Sequence, residues 1–199
     1  MKSTRLEAFS DGVIAIIVTI MVLELKVPSD PSPRALLGML PVFLSYALSF
    51  VLVAIYWVNH HHLLHVTRHV DGSILWLNAH LLFWMSLIPF ATAYVGHHHA
   101  TPFTVACYGA VQLACCFAFY ALRACIFHPH AGNPAMERLS RLLARKNLLA
   151  AIFYLASIPA ASFYVPLSLG LIMLPAAMYF LPDRRIEDDE ATAHGPHGS

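Results

Sequence analysis

The chain has 199 residues, of which 58% are hydrophobic and only 12% charged, and its mean hydropathy is +0.63. A soluble domain of this length does not need so much apolar surface, so the composition points to an integral membrane protein. A net charge of +1 offers no basic field for a polyanion, which excludes nucleic acid as a partner.

Six hydrophobic segments follow in order, near 5–26, 36–60, 72–95, 102–127, 145–162 and 164–181. Each approaches the ~20 residues that a helix needs to cross ~30 Å of hydrocarbon. The expected fold is an all-α membrane domain of six transmembrane helices over 1–182, followed by a solvated, disordered tail over 183–199 that contains Glu187-Asp188-Asp189-Glu190. The first segment lacks the short apolar core and small-residue cleavage site of a secretory signal, because Asp11 and Gly12 sit where that core would run. It is expected to stay in the mature chain.

That first segment holds the most information. Arg5, Glu7 and Asp11 occupy its first two turns, where charge near hydrocarbon is costly and tends to serve function. At about 100° per residue, Phe9, Gly12, Ile16, Thr19 and Leu23 fall on one stripe, apolar except for a single hydroxyl. Asp11 lies about 140° around from Ile16, so it points toward neighbouring helices.

The Pro-rich stretch Lys26-Val27-Pro28-Ser29-Asp30-Pro31-Ser32-Pro33-Arg34 cannot continue a helix and separates the first two segments. The second segment ends in Tyr56-Trp57-Val58-Asn59-His60-His61. His60, His61, Asn78 and His80 are candidate donors to Asp11, and Arg5 could stack on Trp57 or pair with a carboxylate. The expected result is a network of Arg5, Phe9, Ser10, Asp11, Trp57, His60, His61 and Asn78 that fixes the first helix against the second and third and controls opening.

His61/His65 and His65/His69 are four apart on a helix, the spacing of a chelating pair. No His-Glu-x-x-His pattern supplies an acid, and Asp71 is the sole acid nearby, so His60, His61, His62, His65 and His69 read as interfacial histidines at a helix end, one of them structural. No metal site is expected. His97, His98 and His99 fall in the opposite loop, so histidines at both ends leave a pH effect on transport open. Cys107, Cys115, Cys116 and Cys125 share one apolar segment without zinc-ribbon or disulfide spacing and read as small buried hydrophobes. Pro159 and Pro166 bracket a short turn between the last two segments. The run Arg138-Leu139-Ser140-Arg141-Leu142-Leu143-Ala144-Arg145-Lys146 reads as a basic connection able to meet anionic lipid.

If six spans alternate, Lys2, Arg5, Arg68, Arg123, Arg138, Arg141, Arg145, Lys146, Arg184 and Arg185 share the N-terminal side, ten of the twelve basic residues. Lys26 and Arg34 take the other side. The positive-inside rule then puts both termini in the cytoplasm of a multi-pass cell-membrane protein.

Arg5-x-x-x-Phe9-Ser10-Asp11, Tyr56 to His61, Asn78 and Leu87-Ile88-Pro89-Phe90 together resemble the endolysosomal potassium channel called transmembrane protein 175, in its single-repeat bacterial form. The resemblance covers residues 5 to 95 by motif. It implies a potassium channel rather than an enzyme, with no cofactor beyond permeating K+ and with the first helix lining the path. It also implies a constriction at Ile16, a hydroxyl layer at Thr19, and assembly as a homotetramer. One stripe cannot enclose a path alone and no internal repeat is visible, so if the first helix lines a pore, several copies must meet around an axis as a closed cyclic oligomer. There is no carbonyl filter of the Thr-Val-Gly-Tyr-Gly type, so selectivity for K+ over Na+ should be modest. The rival reading is a proton-coupled secondary transporter in which Asp11 and the membrane histidines relay protons. An intramembrane metalloenzyme is more distant, because the histidines cluster at helix ends rather than at one depth.

Overall fold

The computed structural model describes residues 3–65, 67, 70–128 and 134–180. Lys2, Arg68, His69, Arg184, Arg185 and the expected tail over 183–199 lie outside them. Eight helices are seen among the described residues: α1 Ser3–Leu23, α2 Pro33–Gly38, α3 Leu40–His65, α4 Gly72–Ser86, α5 Ile88–His97, α6 Pro102–Phe127, α7 Pro134–Phe163 and α8 Val165–Phe180.

Their ends follow from local chemistry. Beyond α1 the chain runs through Glu24 and Lys26 into Pro28, which has no N–H to extend the ladder. Short α2 begins where Ser32 Oγ accepts from the Ala35 N–H at 3.2 Å and Pro33 takes the first turn. The second hydrophobic segment is α3, which starts later than hydropathy implies because Gly38 and Met39 part it from α2. It continues past His61 to His65. Asp71 caps α4 by accepting from the Ile74 N–H at 2.8 Å, and Thr101 with Pro102 starts α6 in the same way.

The third segment is one span with a break. Pro89 removes an amide donor from the first turn of α5, and the chain turns at Leu87, whose N–H reaches back to Trp84. Gly72–His97 is nevertheless long and apolar enough to cross a membrane, as are Ser3–Leu23, Leu40–His65, Pro102–Phe127 and Ser140–Phe163. The sixth segment is shorter: Val165–Tyr179 is apolar overall, but at 1.5 Å per residue it reaches only ~22 Å.

Two expectations need correction. The fifth segment does not open at 145, because α7 already begins at Pro134 and the run from Arg138 to Lys146 is helical. Arg, Lys, Leu and Ala are strong helix formers, and their charge lowers hydropathy without lowering helicity. Arg123 is not in a connection either. It lies within α6, is 3% exposed, and donates from Nη1 to the Ser140 carbonyl of α7 at 2.7 Å.

The core has two parts. One unites Leu6, Ile14, Ile17 and Met21 of α1 with Val53 and Leu64 of α3, Leu81 and Met85 of α4, and Leu122 and Ile126 of α6. The other joins α3, α5, α6, α7 and α8 through Leu52, Val95, Tyr108, Cys116, Tyr154 and Ile172. Cys115 and Cys116 are buried and all four thiols are free. Helices α6 and α7 meet closely at Gly109, where a Cβ would lie 2.6 Å from Ser157 Oγ. The α7–α8 turn is a single residue, Tyr164, and Pro159 is inside α7.

Candidate functional site: the two faces of the first helix

Helix α1 buries one narrow line. Leu6, Ser10, Ile14, Ile17 and Met21 recur at steps of four, four, three and four, the spacing of one helical face. Roughly 140° away by the same geometry, Phe9, Gly12, Ile16, Thr19 and Leu23 are all exposed. Ile16 is 59% and Leu23 72% exposed, and nothing lies within 4 Å of where a Gly12 Cβ would be. The stripe read from the sequence is therefore open in the single subunit. Ala8 and Ala15 are exposed beside it, and small residues on a membrane helix let other helices approach closely.

Thr19 has a defined orientation. Its hydroxyl donates to the Ala15 carbonyl at 2.8 Å, which uses its one proton and leaves oxygen lone pairs on the open face.

Behind the stripe, polar groups tie α1 to α3 and α4. The Asn78 amide donates to Ser10 Oγ at 3.0 Å, and Ser10 in turn donates to the Leu6 carbonyl at 2.9 Å. His60 Nε2 sits 2.7 Å from Asn78 Oδ1. Because that oxygen can only accept, His60 Nε2 carries the proton. All three side chains are buried, at 0% for Ser10 and 1% for His60 and Asn78. His60 Nδ1 is buried with no hydrogen-bond partner among the described residues.

Asp11 is partnered differently from the histidine donors considered above. Trp57 Nε1 donates to Asp11 Oδ1 at 2.9 Å. One turn nearer the N terminus, His61 Nδ1 lies 2.8 Å from Glu7 Oε1. Positions 7 and 61, 11 and 57 pair like rungs between two antiparallel helices. His80 is occupied within α4, where Trp84 Nε1 donates to its Nε2 at 3.3 Å. Arg5 is exposed and joins neither set, and Phe9 belongs to the open stripe. The structure thus gathers Ser10, Asn78 and His60 into one network, and Asp11, Trp57 and His61 into an adjacent ladder.

Two features had no place in the sequence reading. Glu7 supplies the acid that the histidine spacing lacked, from a helix more than fifty positions away in the chain. A second buried cluster holds α3, α5 and α6 together: Ser49 Oγ is 2.7 Å from Thr92 Oγ1 and 2.8 Å from the Tyr108 hydroxyl. Polar residues inside apolar segments are the one signal that pointed to it.

A family model described as endosomal/lysosomal potassium channel TMEM175 matches residues 5–89, the stretch that contains all but the first two residues of α1, the ladder and the network. A protein from Chryseobacterium sp. (strain P1-3) named as a potassium channel is 44% identical over 187 residues, 94% of this chain and 97% of its own length. Another, from Streptomyces collinus (strain DSM 40733 / Tue 365), is 32% identical over 206 residues, covering 96% of this chain and 98% of that one. Among solved structures, a lysosomal potassium-selective channel TMEM175 homolog from Chamaesiphon minutus superposes with a TM-score of 0.78 at 26% identity, covering 89% of this chain and 95% of that chain. With the Arg5-x-x-x-Phe9-Ser10-Asp11 stretch inside the matched region and the likeness running over nearly the whole length, this chain belongs to the TMEM175 family.

Proposed function

We propose that this protein is a potassium-permeable channel of the cell membrane, in which four copies surround a path lined by α1. The observation that carries the reading is the two-sidedness of α1. Its buried line locks it to its own subunit, while Gly12, Ile16, Thr19 and Leu23 are open along the other face and need neighbours to enclose anything. A ring of Ile16 side chains is the constriction, where a narrow apolar collar resists wetting. A ring of Thr19 hydroxyls lies one turn further along. Their outward lone pairs replace part of an ion's hydration shell, and the flexible side-chain ring gives modest rather than high preference for K+ over Na+. The Ser10–Asn78–His60 network and the Asp11–Trp57 pair hold α1 at a set rotation, so they act on opening and assembly rather than on ion choice. Both termini face the cytoplasm, in keeping with the basic residues counted above. The related chains named as potassium channels support this reading.

The test is ion flux into liposomes holding the purified protein, with wild type and Ile16→Asn compared under K+ and then Na+ gradients. A downhill K+ flux that becomes larger or less selective in the variant agrees with a constriction at Ile16. Flux that requires a proton gradient, saturates at carrier rates and ignores Ile16 would instead make Asp11 and the histidines a proton relay in a transporter.

A further inference from the structure

We propose that Glu7, His61 and His65 form a binding site for a divalent transition metal that clamps α1 to α3. This goes beyond the channel reading and does not depend on it.

The geometry is the argument. His61 and His65 are separated by one turn of α3, and their rings lie 4.4 Å apart. Both Nδ1 atoms converge on one carboxylate oxygen: Glu7 Oε1 is 2.8 Å from His61 and 3.8 Å from His65. The three candidate ligand atoms all lie within 4.8 Å of one another. Tetrahedral zinc holds nitrogen and oxygen ligands at about 2.0–2.2 Å, which puts ligand atoms roughly 3.3–3.5 Å apart. Small side-chain rotations therefore suffice to close the set.

The chemistry favours a metal over protons. Two protonated imidazoles this close would repel each other, and a single carboxylate with 17% of its side chain exposed would face both. One dication presents two positive charges to the carboxylate and takes a lone pair from each neutral ring. Two imidazole nitrogens with one carboxylate suit Zn2+, Co2+ or Ni2+ and not the oxygen-seeking Mg2+ or Ca2+. His65 is 64% exposed, so an ion has a route in and a fourth position open to water. Because the ligands come from two helices, binding ties the first turns of α1 to the last turn of α3, one turn from the Asp11–Trp57 rung. The Trp57 ring lies 6.2 Å from the His61 ring, so the ion is next to that rung.

The experiment uses full-length protein in detergent, free of any polyhistidine tag, titrated with Zn2+ against a chromophoric chelator, and with Co2+ to read the visible absorption of a tetrahedral complex. Wild type, Glu7→Gln, His65→Ala and the triple variant His97→Ala/His98→Ala/His99→Ala are compared. The expected result is one high-affinity ion per subunit in wild type and in the triple variant. Either ligand variant should weaken that site by on the order of tenfold to a hundredfold or more, the range seen even for residues that only support ligands. Zn2+ should also raise the melting temperature of wild type and leave that of His65→Ala unmoved. Exposed His65 is the safer variant to fold if Glu7→Gln is damaged. Equal Zn2+ affinity and stoichiometry in wild type and His65→Ala, or no binding above the weak background of surface histidines, would overturn the site.

Discussion

The Trp57 indole donates to the Asp11 carboxylate at 2.9 Å, across the groove between α1 and α3. It meets an acid that shares the first turns of α1 with Glu7 and Ser10, whose own partners are His61 and Asn78. An indole N–H is a donor only, so this contact has one polarity and one geometry. A histidine in its place would change hydrogen-bonding role with protonation; the indole N–H does not.

Trp57→Phe keeps an aromatic ring, though a smaller one, and removes the donor. It should lower stability in detergent by about 0.5–1.5 kcal/mol, the net worth of a hydrogen bond whose lost donor water can partly replace. Asp11→Asn retains an acceptor oxygen and should cost less than Asp11→Ala. Thermal unfolding of the three variants, with oligomeric state read by size exclusion, checks the order. If Trp57→Phe melts with wild type, the bond does not hold α1.

The buried relay should behave as one unit. Asn78→Leu strips a partner from both Ser10 and His60, each almost fully enclosed, and should cost about 1–3 kcal/mol, chiefly because His60 Nε2 is orphaned while Ser10 keeps its bond to the Leu6 carbonyl. His60→Leu in the Asn78→Leu background should cost much less than His60→Leu alone, because the histidine has then already lost its acceptor. A double-mutant cycle on melting curves gives the coupling, and strict additivity would mean the 2.7 Å contact carries no energy.

What could be read from the sequence followed from periodicity within one segment. The Ile16–Thr19–Leu23 stripe depends only on the angle per residue, and the need of Ser10, Asn78 and His60 for partners depends only on their being polar in apolar surroundings. The Glu7–His61 contact depends on the register of α1 against α3, which no local spacing contains, so Glu7 passed as a plain entrance charge. The Ser49–Thr92–Tyr108 cluster was hidden for the same reason. Hydropathy also misplaced the start of α7, since it weighs the charges of Arg138, Arg141 and Arg145 but not their helix propensity. It is equally blind to the break at Leu87, which shows only as Pro89.

The α6–α7 contact offers a test of packing alone. A methyl group at Gly109 would stand 2.6 Å from Ser157 Oγ, and that hydroxyl is already held by the Tyr154 carbonyl at 2.7 Å. Gly109→Ala should therefore destabilise the fold by about 1–3 kcal/mol through overpacking, despite alanine's better helix propensity. Adding Ser157→Ala removes the obstructing atom and should restore part of the loss. Gly12→Ala, with open space around it, should melt at or slightly above wild type.

Thr19 separates the hydroxyl's role from that of its shape. Valine is nearly isosteric but has no oxygen, so Thr19→Val extends the apolar collar at Ile16 by a turn. Thr19→Ser keeps the oxygen and the means to donate to the Ala15 carbonyl. If hydroxyls replace part of an ion's hydration shell, Thr19→Val should reduce K+ flux severalfold and bring the K+ to Na+ ratio toward unity, while Thr19→Ser should stay close to wild type in both. Because Thr19 is exposed on the open face of α1, neither change should move the melting temperature by more than a degree or two. Flux assays in liposomes under paired K+ and Na+ gradients decide it. A Thr19→Val protein that conducts and selects like wild type would take the hydroxyl layer out of the permeation path and leave Ile16 as the part of α1 to which ion discrimination must be traced.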